Sequence, residues 1–411
     1  METAAEVGND PGVKVPAPVT RGRRGLAANL GLASASLGLA LLAGEGLVRL
    51  LSPIGPALLV TDAGVGKRFV PGFQGPVWVD EAGREVEVRV NSAGFPGPEW
   101  SASKPPGGLR IAVLGDSMTA GIATAEERRF VSRLQSSLQA AAPGRPVEVL
   151  NFGVSSASTG SELVTWREVV AAYRPDLVLL AFFTGNDLGD NSARLTRAPR
   201  VYFDLDEEGR ILRGDGPDPT PALARWLDRH SRLYVWQKVA LRRLRVPTRA
   251  ASGGVEPGQL VFAREGGPDV EHAWRLTASL LRELRDEVEA SGARFALVLV
   301  PCAEQVDDAL WADLAGRARE AGLELERQEP WRRLGDICAR AGIPAVDLAP
   351  AFVAAARGPG EAAASAASLY LLGRFHLSDE GHRVAAEAIH RFLTEGVGSH
   401  LTGAPGSQRG R

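Results

Sequence analysis

Residues 109–121 read LRIAVLGDSMTAG, a short apolar run followed by a Gly-Asp-Ser turn. The run from Ile111 to Leu114 has the length and composition of a buried parallel strand. A serine directly after such a strand lies at the carboxyl edge of the sheet, where open α/β sheets place their sites. Its backbone N–H can face a developing negative charge. Ser117 is therefore a candidate nucleophile, although Asp116 or Ser117 could simply cap the next helix.

Strand and helix patterns alternate on the carboxyl side of this stretch, which is typical of a parallel sheet covered by helices. The sequence therefore predicts an α/β fold, a three-layer α/β/α sandwich with a central parallel sheet. Residues 188–268 interrupt the alternation and predict an insertion beside the carboxyl edge of the sheet, with one helix near 230–244. The other predicted strands are 147–152, 176–183, 294–300 and 343–347, and the helices are 126–142, 161–173, 271–290, 307–321, 331–341 and 379–394.

Length and composition exclude several classes of protein. The chain has 411 residues, is 45% hydrophobic and carries a formal net charge of -2, so nothing indicates a nucleic-acid partner. Its two cysteines, Cys302 and Cys338, exclude a disulfide scaffold; they could pair in an oxidising compartment, but two isolated buried thiols are the simpler interpretation. Six histidines without ligand spacing and the lack of a G-x-G-x-x-G motif predict no metal and no cofactor.

The N-terminal region predicts a membrane anchor. Residues 1–24 form a polar tail that we expect to be disordered and cytoplasmic, and 25–45 contain 20 uncharged residues, the length of a transmembrane helix. Three arginines precede the run and Arg49 follows, which places the bulk of the chain outside the cytoplasm. A cleaved signal peptide or a buried helix are the alternatives. Residues 46–107 predict a small β-rich subdomain with a linker at 101–108, and 397–411 a disordered tail.

Three further groups of polar residues each follow a predicted strand. Gly153, in the stretch NFGVSS, lacks a side chain that would keep a ligand from its backbone N–H. Asn186, in TGND, offers an amide that can donate to an oxyanion. His376, in GRFHLSDEGH before the last helix, could act as general base to Ser117. Ordinary turn chemistry would also explain the first two groups.

The ordered set of GDS, the glycine of NFGVSS, TGND and a histidine loop before the terminal helix resembles the SGNH (GDSL-type) hydrolase family. The resemblance covers residues 108–396, with the insertion 188–268 inside it, and the anchor resembles exported, membrane-bound members. It implies a serine esterase in which Ser117 attacks an ester carbonyl and a histidine takes its proton. It also implies an oxyanion hole formed by the N–H groups of Ser117 and Gly153 and the side chain of Asn186.

The histidine block departs from the Asp-x-x-His pattern of that family. Literal matching selects Asp379 and His382, whereas the register before the last helix selects His376, with Ser378 as the N-cap. In the second register the acid of the triad would fall at Gly373. We favour His376 as the base and expect His382 to pack inside the helix. The missing acid could be absent or could come from elsewhere, with Asp379 as a candidate and Asp347 as a residue that is more often structural.

Three functions remain open from the sequence. The first is a membrane-tethered esterase that removes acyl groups from a carbohydrate or lipid ester, with an ester-containing small molecule or a glycan as its partner. The second is an O-acyltransferase that acts on a cell-surface polysaccharide. The third is an inactive SGNH ligand-binding module, a reading that Gly373 in place of the triad aspartate suggests. The sequence does not predict the oligomeric state.

Overall fold

The computed structural model describes residues 23–51, 57–62, 64–79, 82–198, 200–214, 221–245, 254–358, 366–371 and 375–395. The chain divides into two compact units, Met1–Ser52 and Pro53–Arg411. The predicted tails 1–24 and 397–411 fall almost entirely outside the described residues.

The described part of the first unit is a single apolar helix, α1 (Arg23–Leu51). Its segment Ala28–Leu51 has a mean hydropathy of 1.5 and is long enough to cross a membrane. A signal sequence would pass the same test, so the helix is a candidate anchor or a candidate signal. It ends at Leu51 rather than at the predicted residue 45, and its last two turns contain Glu45 and Arg49, which form an ion pair of 2.7 Å one helical turn apart.

The second unit consists of two N-terminal hairpins and a helix-covered sheet. Its elements in chain order are β1 (Leu59–Asp62), β2 (Gly66–Phe69), β3 (Gln74–Val79), β4 (Arg84–Arg89), β5 (Leu109–Gly115), α2 (Ser117–Ala120), α3 (Phe130–Ala141), β6 (Val147–Gly153), α4 (Thr159–Glu168), β7 (Leu177–Phe183), α5 (Asp187–Asn191), β8 (Phe203–Leu205), β9 (Ile211–Arg213), α6 (Ala222–His230), α7 (Arg232–Arg245), α8 (Gly267–Ala290), β10 (Arg294–Val300), α9 (Ala303–Val306), α10 (Asp308–Glu320), α11 (Glu329–Ala341), β11 (Ala345–Asp347), α12 (Ala349–Ala356), α13 (Ala366–Leu369) and α14 (Asp379–Thr394).

Five parallel strands form the central sheet in the order β11-β10-β7-β5-β6. Every residue of β5 and β7 is buried, which explains why these strands read as unbroken apolar runs. Helices flank the sheet, and the predicted α/β fold with a central parallel sheet is confirmed. The side chains of the sheet and of the helices share one hydrophobic core.

The predicted β-rich region contains two antiparallel hairpins, β1–β2 and β3–β4. Phe69 and Val88 from these hairpins belong to the same core as the sheet, so the region packs against the main fold. The predicted linker 101–108 is also held in place. The buried guanidinium of Arg110 donates to the backbone carbonyls of Ser101, Ala102 and Ser103.

The structure differs from the predicted helices at three places. The region 126–142 splits into a 3-10 turn and α3, because Arg129 adopts an extended conformation between them. The region 161–173 splits at Val169 into α4 and a following 3-10 turn. The predicted insertion helix 230–244 corresponds to α7, and the insertion also contains the helix α6 and the hairpin β8–β9, which the sequence does not predict. Cys302 and Cys338 are buried free thiols.

Candidate active site

Ser117 is the first residue of α2, and only Asp116 separates it from the end of the strand β5. A Cβ atom at Gly115 would lie 2.2 Å from the Thr119 hydroxyl, so only glycine lets the chain turn this tightly. Asp116 caps α2, because its carboxylate accepts a hydrogen bond of 2.8 Å from the Met118 N–H. The capping role therefore belongs to Asp116. Ser117 is half-buried, whereas its neighbours Asp116 and Met118 are buried.

Three adjacent strands bring the predicted site residues to one edge of the sheet. The strand β5 lies between β6 and β7, and Gly115 at its end pairs with Gly153 on one side and with Ala181 on the other. Ser117 and Asn186 follow the carboxyl ends of β5 and β7, and Gly153 is the last residue of β6. The predicted convergence of these three segments is therefore present in the fold.

Gly153 is needed for a reason that the sequence did not indicate. A Cβ atom at this position would lie 2.3 Å from the Ala120 backbone nitrogen, so the close neighbour is the backbone of α2 and not a ligand. Its N–H donates a hydrogen bond of 2.9 Å to the side chain of Asn151. The N–H is therefore engaged inside the protein, and donation from Gly153 to an oxyanion requires that this bond open.

Gly153→Ala is expected to destabilise the fold by about 1–3 kcal/mol, the usual cost of overpacking a tight core. The reason is the contact with the backbone at Ala120, which cannot rotate away as a side chain could. Urea unfolding measures the change. Gly144→Ala is the matched control, because a Cβ at Gly144 meets nothing within 4 Å, and its effect should stay within about 0.5 kcal/mol. Equal stability of the two variants would contradict the packing argument.

The amide of Asn186 is held by two carboxylates. Its Nδ2 donates to Asp190 at 3.0 Å and makes a longer bond of 3.4 Å to Asp116. Because a primary amide has two N–H groups, one is firmly committed and the other is only weakly held. The weakly held N–H is the group that a substrate oxygen could take from Asp116. Asn186 is also half-buried, which leaves it accessible to a ligand.

Two residues that support this amide were not identified from the sequence. Asp190 lies four residues after Asn186, on the same side of the short helix α5, and Arg200 forms a 2.5 Å ion pair with it. Arg200 thereby fixes the carboxylate that fixes the amide. The i, i+4 spacing of Asn186 and Asp190 is a signal that could have indicated the first contact. No local pattern indicates Arg200.

Buried carboxylates surround the back of the site. Burial raises the pKa of Asp116 to about 6, while the Met118 N–H and the charge of His376 act in the opposite direction. Burial also raises the pKa values of Glu162 and Asp187 well above the ordinary range, and the nearby Asp116 charge adds to both. The charges of these three carboxyl groups interact, so a charge that develops near Ser117 affects the pKa of each of them.

His382 occupies a packing position within α14. The side chain is 2% exposed, its ring stacks on Phe130, and its Nδ1 accepts a hydrogen bond of 3.2 Å from the Phe130 N–H. Burial, followed by the charge of Arg129, lowers its pKa from 6.5 to about 3. The ring is therefore neutral at physiological pH, with one of its two nitrogens committed to the backbone.

His376 lies on the half-buried loop before α14, where Tyr370 and Leu377 form a β-bridge. It is close enough to Asp116, the neighbour of Ser117, for its charge to lower the pKa of that carboxyl. Gly373, the position expected for the acid of a triad, lies outside the described residues.

The two candidate acids from the sequence have other partners. Asp379 forms a 2.6 Å ion pair with Arg128 at the start of α14. Asp347, the last residue of β11, accepts a hydrogen bond of 2.9 Å from the Ala349 N–H, and β11 is the edge strand on the far side of the sheet from β5. Both carboxylates therefore hold the fold together at these positions. The charge of His376 does act on the carboxyl of Asp116, whose pKa it lowers.

Comparison with known proteins gives a family. A model of the GDSL-like Lipase/Acylhydrolase family matches residues 113–313, which include Ser117, Gly153 and Asn186. No curated protein matches the chain.

Similar solved structures include LAE5, an alpha/beta hydrolase enzyme from the metagenome of Lake Arreo, Spain (16% identity, 72% of this chain and 97% of that chain, TM-score 0.38). Axe2, an acetylxylan esterase from Geobacillus stearothermophilus, is 17% identical over 69% of this chain and 93% of its own, with a TM-score of 0.37. A putative lipolytic protein of the G-D-S-L family from Desulfitobacterium hafniense is 14% identical over 69% and 99%, with a TM-score of 0.36. Likeness at this level indicates nothing about substrate. On its sequence blocks and the match to the family model, residues 113–313 form a domain of the GDSL-like lipase/acylhydrolase family, which consists of serine hydrolases that act on ester bonds.

Proposed function

We propose that the chain is an esterase in which Ser117 and His376 form and break an acyl-enzyme. One observation carries the proposal. The half-buried Ser117 and the half-buried Asn186 follow adjacent strands, and the charge of His376 acts on Asp116, the residue before Ser117. These placements support a site in which Ser117 is the nucleophile, Asn186 is the amide donor and His376 is the base, the set of groups that ester hydrolysis requires.

In this mechanism the Ser117 hydroxyl attacks the ester carbonyl while His376 takes its proton. The negative oxygen of the tetrahedral intermediate accepts hydrogen bonds from the Ser117 N–H and from the weakly held N–H of Asn186. His376 then returns the proton to the leaving alcohol. Water attacks the acyl-enzyme by the same steps in reverse and releases the carboxylic acid.

Asp116 takes over part of the electrostatic role of a triad acid in this proposal. A third group in a serine hydrolase orients the imidazole and stabilises its positive form. Asp116 supplies a negative charge near His376, although its own hydrogen bond goes to the Met118 N–H. The charge can therefore stabilise the imidazolium, whereas the orientation of the ring must come from the loop that carries it.

We propose an acyl ester on a carbohydrate or a lipid, outside the cytoplasm, as the substrate. The apolar helix α1 supports this, with three arginines before the run and Arg49 near its end, which favours an N-terminus on the cytoplasmic side. The proposed partners are therefore an ester-containing small molecule or glycan and a membrane that holds α1.

The test uses the full chain in detergent, with p-nitrophenyl acetate and butyrate as substrates and a fluorophosphonate as a serine-directed label. We expect hydrolysis, and we expect the label on the peptide that contains Ser117. A chain that neither hydrolyses these esters nor takes the label would overturn the esterase proposal and would support the ligand-binding alternative. Addition of a panel of sugar acceptors, with acylated sugar as the readout, tests transfer against hydrolysis.

Asn186→Ala is expected to lower kcat by about 100- to 1000-fold with a small change in KM, the effect of removing one oxyanion donor. The amide stabilises charge that exists only in the transition state, so kcat should change and KM should not. Steady-state hydrolysis of p-nitrophenyl acetate measures both. Asn91→Ala is a control for loss of an asparagine amide, because Asn91 bonds the backbone of Pro98 and Phe95 in the hairpin region. A loss of kcat/KM that comes as much from a raised KM as from a lowered kcat would contradict the assigned role.

Asp116→Asn is expected to lower kcat/KM by about 10- to 100-fold at pH 8, because the imidazolium loses a nearby negative charge. Asparagine can still accept the Met118 hydrogen bond that caps α2. Since the pKa of Asp116 is about 6, the wild-type carboxyl is charged above that pH and becomes neutral below it. The ratio of wild-type to variant kcat/KM should therefore fall toward one between pH 8 and pH 5. A constant ratio would exclude the electrostatic role.

A further inference from the structure

The helix pair α6–α7 in the insertion carries large apolar side chains that face solvent. Leu223 and Trp226 on α6 are 68% and 55% exposed, and Trp236 and Leu241 on α7 are 41% and 49% exposed. None of the α7 side chains that the structure describes, residues 232–241, is buried. A 14-residue helix with so little burial gains little from packing, and exposed apolar clusters of this kind are typical of interaction surfaces.

The exposed residues follow helical spacing. Leu223 and Trp226 are three residues apart on α6, and Trp226 stacks on the exposed His230 with ring centroids 4.8 Å apart. On α7, the exposed Trp236, Gln237 and Leu241 lie within an arc of about 140° around the helix axis. Tryptophan and leucine on one side of a helix are typical of a helix at a membrane interface.

The charge of this segment complements an anionic surface. Residues 221–245 contain six arginines and Lys238 against one acidic residue, Asp228, a balance of 7 − 1 = +6. The whole chain has a formal net charge of -2, so the positive charge is concentrated here. Asp228 is buried and its charge is matched by Lys238 at 2.6 Å, so the acidic residue does not offset the exposed basic side chains such as Arg229.

The segment also lies next to the point where the chain enters the second unit. The Ala57 N–H donates a hydrogen bond of 3.3 Å to the carbonyl of Asp228 on α6, and α6 contacts β1. The helix α6 thus packs beside Ala57 and β1, the first described residues of the second unit.

We propose that α6–α7 lies on an anionic membrane surface, with its tryptophan and leucine side chains in the interface and its basic side chains at the lipid headgroups. The proposal rests on the anchor role of α1 and is independent of the chemistry at Ser117. Docking at this second place, in addition to the anchor, limits the rotation of the second unit relative to the membrane. The surface defined by Leu223, Trp226, Trp236 and Leu241 is called the interfacial face below.

The experiment uses the full chain reconstituted in vesicles of phosphatidylcholine, with or without about 30 mol% phosphatidylglycerol. Leu223→Cys and Leu241→Cys variants carry an environment-sensitive fluorophore; the native Cys302 and Cys338 are buried, and the unsubstituted chain controls for their labelling. Ala140→Cys, an exposed position on α3, is the matched control. With phosphatidylglycerol, we expect the two interfacial labels to shift to the blue, and iodide to quench them at least about threefold less than the control. Lipids with a quencher on the acyl chain should quench only the interfacial labels.

The charge contribution has its own variant pair. Arg229→Glu on α6 should weaken the protection of the Leu241 label in phosphatidylglycerol vesicles, and Arg319→Glu, exposed on α10, should leave it unchanged. Equal effects of the two variants would overturn the proposed role of the basic side chains.

Three outcomes overturn the docking proposal and are distinguishable. Release of the chain from vesicles by a carbonate wash shows that α1 is no anchor, and the docking proposal fails with it. A retained chain whose interfacial labels are as accessible to iodide as the control overturns docking alone. Protection that depends on the protein-to-lipid ratio, and not on phosphatidylglycerol, assigns the face to a second copy of the chain. Ester hydrolysis by Ser117 is unaffected by any of these results.

Discussion

Replacement of Ser117 by alanine is expected to lower p-nitrophenyl ester hydrolysis by at least about 10⁴-fold and to abolish fluorophosphonate labelling. The proposed mechanism has no second route to the acyl-enzyme, because the serine oxygen forms the new bond. Thr119, the other hydroxyl in the helix, is buried. The fold should be unaffected, since the cap of α2 comes from Asp116 and alanine favours a helix at least as well as serine.

The measurement combines initial rates with intact-protein mass after labelling, and thermal unfolding of each variant. Ser136→Ala is the matched control, because Ser136 is exposed on α3. Its hydroxyl donates a hydrogen bond to the Ser132 carbonyl, one turn earlier in the same helix. It should retain wild-type rates and the label. If Ser117→Ala keeps either its rate or its label with the same unfolding temperature, another residue is the nucleophile and the proposed mechanism is wrong.

The sheet could be predicted from the sequence because its signal is local. The strands β5 and β7 are buried on both faces, so each is an apolar run bounded by Gly115 in one case and by the TGND turn in the other. The polar groups that follow adjacent parallel strands must then meet at one edge. The same reasoning could not give the strand order, which depends on crossovers made by the helices.

Other features depend on contacts that are distant in sequence. The need for glycine at 153 comes from the backbone of α2, more than 30 residues earlier in the chain. The contact of Arg200 with Asp190 joins the insertion to the edge of the sheet, and no periodicity encodes it. The sequence predicts α7 but not α6, which ends at His230, one residue before the extended Ser231.

The choice between His376 and His382 depends on a local signal in the sequence and on a contact between residues that are distant in sequence. The sequence favoured His376 from the register of α14, and Ser378 does cap that helix, its hydroxyl accepting from the Gly381 N–H at 3.1 Å. The contacts of His382 with Phe130 could not be predicted from the sequence, because they join residues 252 positions apart. Because of these contacts, substitutions of His376 and of His382 are expected to have opposite phenotypes.

His376→Ala is expected to lower kcat by about 10⁴-fold or more, because the variant lacks the proposed base. Its stability should change little, because His376 is a half-buried residue on a loop. His382→Ala is expected to do the reverse. It removes a buried ring and leaves the Phe130 N–H without its acceptor, so stability should fall by about 2–4 kcal/mol. Below the unfolding transition, its kcat should stay within about threefold of wild type. Rates and urea unfolding of both variants separate the two roles.

The pH dependence of stability gives an independent check on His382. In the folded state the pKa of His382 is lowered from 6.5 to about 3. Between these two pH values the imidazole is therefore neutral in the folded protein, whereas it takes up a proton in the unfolded chain. The unfolded state is thereby favoured as the pH falls from about 6.5 toward 3, and His382→Asn cannot respond in this way. The stability difference between wild type and His382→Asn should therefore narrow between pH 8 and pH 5. If His382→Asn instead loses hydrolysis at full stability, His382 is the base, the Asp-x-x-His register is correct, and Asp379 with its Arg128 partner becomes the acid to test.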